Sequence, residues 1–331
     1  MSNQEFWQGK IKIRENYYPR FMSAPVDGVS DSPFRQLVRD FSPNELLYTE
    51  MRHASLVANE RTGISLRYNK VEMPMEYQIS THKTDFVEKA VEKVIAADFS
   101  SINLNCGCPA KTVIKSGCGS ALMEDLKHLE TLIKFFIKTI DGRKAFTVKI
   151  RAGFKKKNAF DVAQLAQDSG VDAIIIHPRT QPEGFASRLD YDLAAKIKSH
   201  LSIPLIFSGN ITRFDIAQRV YDLTGCDGYM IGRALWGAPW KMKEFTEAAA
   251  GREFKSSVEL ALTYALKHLD LNIQFYGPNG FIPFKKQVSL YVRDIPQAAQ
   301  WRMRLLRSQT EAEMRNVFSE IYKEQNLTIK T

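Results

Sequence analysis

Cysteine is scarce in this chain and long hydrophobic runs are missing. Four Cys in 331 residues, three of them at positions 106, 108 and 118, are too few and too clustered to frame a disulfide-stapled secreted domain. A reducing, cytoplasmic setting is expected. No run approaches the roughly 18 apolar residues of a membrane helix, and the opening MSNQEFWQGKIKIRENYYPR lacks the apolar core of a signal peptide. A soluble chain without a membrane partner is therefore expected. Acidic residues are the minority charge: 37 Asp and Glu against 46 Lys and Arg leave a net charge of +9. That balance favours a polyanionic partner without identifying it, and no obligate protein partner is expected. Internal repeats and low-complexity tracts are also lacking.

What is present is a regular alternation. Short apolar runs rich in β-branched residues occur at 21–26, 45–51, 73–79, 101–105, 146–151, 173–177, 204–208 and 228–231, with helical pattern, or room for it, between them. Eight such strands predict an α/β fold, a (β/α)8 TIM barrel, with a doubly wound sheet as the alternative. Capping residues support the intervening helices: Asp31-Ser32-Pro33 before FRQLVRDF, Thr84-Asp85 before FVEKAVEKVIAA, and Thr212 before RFDIAQRVYDL. From Lys255 onward the texture becomes continuously helical, which predicts a smaller all-α domain of about four helices. The length suits two domains, since cores split beyond roughly 250 to 300 residues; the division expected is 1–250 for the barrel and 251–331 for the helices. From Arg252 onward 12 Lys and Arg face 8 Asp and Glu, a net of +4. Arg293, Arg302, Arg304 and Arg307 form either a phosphate-tracking face or an ordinary solvated helix surface.

Chemistry concentrates at the strand ends. In SINLNCGCPAKTVIKSGCGSALM, Gly107 and Pro109 stop a strand and leave Cys108 at its C-terminal tip, where barrel loops converge. A thiol with an ordinary pKa of about 8.5 is largely protonated at neutral pH, so it suits a general acid. A buried structural cysteine is the ordinary alternative. A metal site is not expected, because C-x-C followed ten residues later by a third Cys, with no nearby His, is not a zinc spacing. Lys149 and Arg151 in TVKIRAG share one side of a strand by period-2 alternation, and two such cations call for an anionic or electron-rich group near them. His177, Arg179 and Thr180 end the run IIIHPRT; His177 is either a satisfied core residue or part of the mouth. Ser208-Gly209-Asn210 and Gly232-Arg233 follow the last two strands, where barrels often hold a phosphate on backbone N–H groups and an arginine. Pro25 with its neighbours, and Gln78, complete the ring.

These motifs resemble those of the dihydrouridine synthases, flavoenzymes that reduce uridine in RNA. The family pattern Asn-x-Gly-Cys-Pro, then Lys, then Ser-Gly-x-Gly, reads Asn105-Cys106-Gly107-Cys108-Pro109, Lys111 and Ser116-Gly117-Cys118-Gly119. Matching positions continue through Ala24-Pro25, Thr49-Glu50-Met51, Gln78, Lys149-Ile150-Arg151, His177 to Thr180 and Gly232-Arg233, and IPQAAQWRMRLL resembles the family's helical RNA-binding domain. The resemblance implies a TIM barrel holding tightly bound FMN and taking hydride from NADPH. It implies FMN contacts from Pro25, Val26, Asp27, Gln78, Lys149, His177, Ser208, Gly209, Asn210, Gly232 and Arg233. Reduced flavin would deliver hydride to C6 of a flipped-out uracil while Cys108 protonates C5. Asn105, Arg151 and Arg179 would orient the base, with Lys285, Lys286, Arg293 and Arg302 on the RNA. The substrate implied is tRNA, with ribosomal RNA or a small pyrimidine as alternatives. Two departures stand out: Ser208-Gly209-Asn210 replaces the common Asn-Gly-Asp, and Cys106 and Cys118 are unusual at their positions.

Overall fold

The computed structural model describes residues 3–184 and 187–327. Eleven strands occur among them: β1 (Lys10–Ile13), β2 (Asn16–Pro19), β3 (Phe21–Ser23), β4 (Leu47–Tyr48), β5 (Arg52–His53), β6 (Met75–Ser80), β7 (Ser101–Cys106), β8 (Ala145–Gly153), β9 (Ala173–Thr180), β10 (Leu205–Ser208) and β11 (Gly228–Ile231). The order β3-β11-β10-β9-β8-β7-β6-β4 is parallel throughout, and β5 pairs with the end of β6. A parallel bridge between Met22 and Leu46 joins the two ends of that order into a ring. The expected barrel is therefore present. Its strands are covered on both faces, which is why Ile174, Ile175 and Ile176 are all fully buried rather than alternating.

Two features of this unit were not legible locally. The run expected at 45–51 forms a strand only over Leu47–Tyr48, while β9 continues beyond His177 to Thr180. A two-stranded antiparallel ribbon, β1 with β2, precedes the barrel. Its Ile11, Ile13 and Tyr18 join a core cluster with Ala145 and Ala173, the first residues of β8 and β9, and with Met230 of β11. The ribbon thus covers the N-terminal end of the strands, opposite the end that bears Cys108. Four residues per strand is too short a run to signal that role in the sequence.

The chain divides into two compact units that do not follow one cut in sequence: Met1–Val26 with Asn44–Gly232, and Asp27–Pro43 with Arg233–Thr331. The second unit contains the helix Ser32–Arg39 besides Lys241–Ala249 and the four tail helices Val258–Tyr276, Phe281–Tyr291, Ala298–Arg307 and Glu311–Glu324. Side-chain caps start three of them: Asp31 accepts from the Phe34 N–H at 3.1 Å, Ser257 from Leu260 at 3.0 Å, and Thr310 from Glu313 at 3.1 Å. Leu269, Phe284, Val288, Leu305 and Phe318 belong to one buried cluster. Residues 27–43 are tied to the tail by Tyr276, whose hydroxyl donates to Asp31 at 2.9 Å, and by Gln287, whose Nε2 donates to the Val29 carbonyl at 3.3 Å. The helix FRQLVRDF, which sequence order groups with residues 1–250, takes its contacts from the helical unit. Among the described residues no helix is long and apolar enough to cross a membrane.

Candidate active site

Every peptide around Cys108 is held in place. The Asn105 side-chain oxygen accepts from the Gly107 N–H at 3.2 Å and the Cys108 N–H at 2.9 Å. On the other side, the Cys108 carbonyl accepts from both the backbone N–H and the hydroxyl of Ser120, each at 3.1 Å. Arg151 Nε donates to the Gly107 carbonyl at 2.8 Å. Gly119 lets the chain return so closely: its φ is +63°, and a Cβ there would stand 2.6 Å from the Cys108 carbonyl oxygen. Cys108 is half-buried, whereas Cys106, Cys118 and Cys226 are free thiols that are fully enclosed. Burial pushes the Cys106 and Cys118 thiols up and Cys226 up to about 12, so all three stay protonated at neutral pH. Cys118 lies 3.8 Å from His82 Nδ1 and packs as a structural thiol. Among the described residues, no group of three or more His, Cys, Asp or Glu side chains is gathered that could hold a metal ion.

Neighbouring strands bring the cations to the same end. Strand register pairs Asn105 with Lys149 and Arg151 with His177. Lys149 keeps part of its surface open, but its ammonium is enclosed, and burial lowers its pKa to about 8, assisted by the Arg151 charge and opposed by Cys108. Among the described residues no carboxylate pairs with it. Arg151 is itself buried, with its pKa lowered mainly by burial, and it donates to the Thr180 carbonyl at 3.1 Å. Arg179, expected beside the substrate, is 1% exposed, and its Nε donates to the Ser187 carbonyl at 2.7 Å. Its charge acts on Arg151 from within the protein.

Beneath Lys149 and Cys108 the barrel interior carries a polar ladder. Asn105 Nδ2 donates to Gln78 Oε1 at 2.8 Å, Gln78 Nε2 to Asn103 Oδ1 at 2.8 Å, and Asn103 Nδ2 to Thr147 Oγ1 at 2.6 Å. The Thr147 hydroxyl then donates to Glu76. All five side chains are buried, and Glu76, Asn103 and Thr147 have no exposed surface. The expected site residues Gln78 and Asn105 are two rungs of this ladder. Glu76, Asn103 and Thr147 were missed as a group, although a carboxylate, an amide and a hydroxyl at inward positions of otherwise apolar strands were a usable signal.

The turn after β10 bends through two residues of positive φ. Gly209 has φ +146°, a Cβ there would stand 2.8 Å from Leu189 and 3.3 Å from His177, and Asn210 takes the left-handed φ of +51° that asparagine tolerates. Ser208 and His177 are mostly buried. Gly232 lies against Ala24, whose N–H donates to the Ile231 carbonyl at 2.9 Å, and Pro25 and Val26 are half-buried beyond it. Asp27 and Arg233, both exposed, begin the two segments of the helical unit. In the tail, Lys286 is exposed with its ammonium close to Gly28, and Lys285 donates to the Ser308 carbonyl. Arg293 is paired with Asp294 at 3.2 Å, Arg302 Nε donates to the Ala298 carbonyl at 3.2 Å, and Arg304 forks onto Glu320 at 2.6 and 2.7 Å.

Known proteins similar to this chain point to one family. The family model for dihydrouridine synthase (Dus) matches residues 22–326. A probable tRNA-dihydrouridine synthase of Helicobacter pylori is 35% identical over 283 residues, covering 84% of each chain. Probable tRNA-dihydrouridine synthase 1 of Synechocystis is 31% identical, covering 92% of this chain and 86% of its own. The tRNA-dihydrouridine synthase B of Pseudomonas aeruginosa is 30% identical, covering 90% and 91%. Among solved structures, a variant of NCR from Zymomonas mobilis superposes with a TM-score of 0.56 at 16% identity, over 77% of this chain and 94% of that one. Morphinone reductase in complex with tetrahydroNAD gives 0.54 at 11% identity, over 75% and 92%; at such identities these two likenesses concern the fold alone. The chain belongs to the dihydrouridine synthase family and is an oxidoreductase.

Proposed function

We propose that this protein reduces uridine in tRNA to 5,6-dihydrouridine, using FMN and NADPH, with Cys108 as the acid. The observation that carries the reading is a half-buried thiol, anchored on both flanking peptides, next to a lysine that has a lowered pKa and no paired carboxylate. The residues fit FMN. An enclosed ammonium beside Arg151 suits the electron-rich edge of a flavin, and the glycine turns Ser208-Gly209-Asn210 and Gly232-Arg233 suit its phosphate. Pro25, Val26, Asp27, Gln78 and His177 would line the remainder. FMN held there and reduced by NADPH would supply the hydride for C6 of the uracil.

The protein's own groups do the rest. When C6 gains hydride, the electron pair of the C5–C6 double bond moves to C5 and takes the Cys108 proton; solvent then reprotonates the thiolate. Lys149, Arg151 and Arg179 make the mouth electropositive and so favour the negative charge that builds up before that transfer. The Asn105 amide in this reading holds the Cys108 turn more than it orients the base. A uridine inside folded RNA must leave its stack to reach the mouth, and Lys285, Lys286, Arg293 and Arg302 would hold the surrounding phosphates.

Nucleoside mass spectrometry tests the proposal. Unmodified tRNA and ribosomal RNA, from cells lacking the gene, are incubated with the flavin-loaded protein and NADPH. A two-dalton gain on tRNA uridine is expected; Cys108→Ala should keep the bound flavin and lose product by about 10² to 10⁴-fold. A gain on ribosomal RNA alone would replace the substrate. No gain on either RNA would favour a small pyrimidine.

A further inference from the structure

The five-membered ladder inside the barrel has a direction, and the direction reaches the thiol. A primary amide carries a donor and an acceptor of nearly equal size, so packing alone does not decide which end faces which neighbour. At the upper end the N–H groups of Gly107 and Cys108 can only donate, and both point at Asn105 Oδ1. Asn105 must then offer its NH2 to Gln78, Gln78 its NH2 to Asn103, and Asn103 its NH2 to Thr147. At the lower end Thr147 can receive that donor only if its own proton is directed elsewhere, and Glu76 accepts it. The Tyr48 and Ser101 hydroxyls stand near the same carboxyl without completing a hydrogen bond to it.

We infer that Glu76 is a positioning residue for Cys108: acting through Thr147 and Asn103, it fixes which way the Asn105 amide faces and so anchors the peptide that carries the thiol. The inference rests on the reading of Cys108 as the reacting acid. Without an acceptor at position 76, the Thr147 hydroxyl turns to donate to Asn103. The amides of Asn103, Gln78 and Asn105 then reverse together, and the Asn105 NH2 meets the Gly107 and Cys108 N–H groups head on. Donor faces donor, and the turn opens.

Hydrogen exchange at the Gly107 and Cys108 amides of the purified protein reads this directly and needs neither flavin nor RNA. Glu76→Met should raise exchange at those two amides about tenfold, the loss of roughly one hydrogen bond, with the outer barrel strands unchanged. Glu76→Gln keeps a carbonyl acceptor and should exchange at the parent rate. Thr147→Val removes the hydroxyl that drives the reversal, so by itself it should leave these amides protected, and added to Glu76→Met it should restore them. Uniformly faster exchange in Glu76→Met, or a double variant worse than the single, would reduce Glu76 to a general structural residue and overturn the inference. Should Glu76→Met not fold, loss of protection in Thr147→Val would overturn it equally. Unchanged exchange at these two amides in Glu76→Met would overturn it as well, whereas a parent protein with both amides protected that forms no dihydrouridine would count against the proposed reaction and leave the ladder standing.

Discussion

Glu76 and Lys149 are both ionisable groups enclosed in the barrel, and each makes stability depend on pH. Burial, the largest influence on Glu76, raises its pKa from 4.5 to about 7. An unfolded glutamate has lost its proton above about 4.5, while the folded protein retains it until about 7. Stability from this group is therefore present at low pH and falls as pH rises through that window, by no more than about 3 kcal/mol. Asp172, also raised mainly by burial, adds a slope of the same sign, so the comparison is with Glu76→Gln. Urea midpoints between pH 4.5 and 7.5 should fall less steeply in Glu76→Gln than in the parent. Lys149 has the opposite sign: its folded pKa of about 8 lies below the ordinary 10.5, so stability recovers as pH rises from about 8 to 10.5. Replacing it by Met removes the cost of an enclosed cation. At pH 7 the flavin-free Lys149→Met variant should melt above the parent by calorimetry, yet reduce uridine far more slowly.

Elements bring these residues together. The turn from Cys108 to Ser120 is a loop closed on itself: Cys108 leaves the tip of β7, the short helix Lys111–Lys115 follows, and Gly119 and Ser120 fold back onto the Cys108 carbonyl. A Cβ at Gly119 would meet the Cys108 carbonyl oxygen at 2.6 Å, the Val113 side chain at 2.9 Å and Cys108 Cβ at 3.1 Å, in a backbone conformation that already disfavours side chains. Gly119→Ala should therefore displace Cys108 while sparing the strands. The expected result is product formation reduced by about 10²-fold with far-UV circular dichroism unchanged, since about 1 Å of misplacement is enough for that loss. Caps and short strands behave similarly at this scale. Asp31 supplies the expected cap, but Thr212 does not: Arg213 is the N-cap of the helix Phe214–Thr224 and makes no side-chain cap bond. The helix still forms because Ala217, Val220 and Thr224 are buried on one face.

For the whole molecule the net charge of +9 matters only through those cations that remain available. Arg304 and Arg315 are engaged by carboxylates, Glu320 in one case and Asp270 with Glu311 in the other, whereas Lys286 and Arg307 are exposed and no carboxylate among the described residues forms an ion pair with either. Substituting Lys286 and Arg307 by Gln should weaken tRNA binding and lower the slope of log affinity against log salt by about 0.7 to 0.9 for each lost phosphate contact, while the same change at Arg304 should alter the slope less. Filter binding over a salt series measures both. The sequence by itself determined the alternation of strands and helices, the helical texture of the tail, and the placing of Cys108 just past a strand and of Lys149 and His177 on the two strands that follow, because period, turn residues and chain order are local properties. Tertiary structure alone decided the rest. Residues 27–43 pack with the tail through Tyr276 and Gln287, roughly 245 residues away, and no local pattern encodes a partner at that separation. Nor does any pattern in one strand say that Glu76, Asn103 and Thr147 meet across three strands, since that depends on register. Hydrogen-bond direction and charge pairing are decided only when the strands are laid side by side, so the sequence names the reactive groups and the fold decides how each is held.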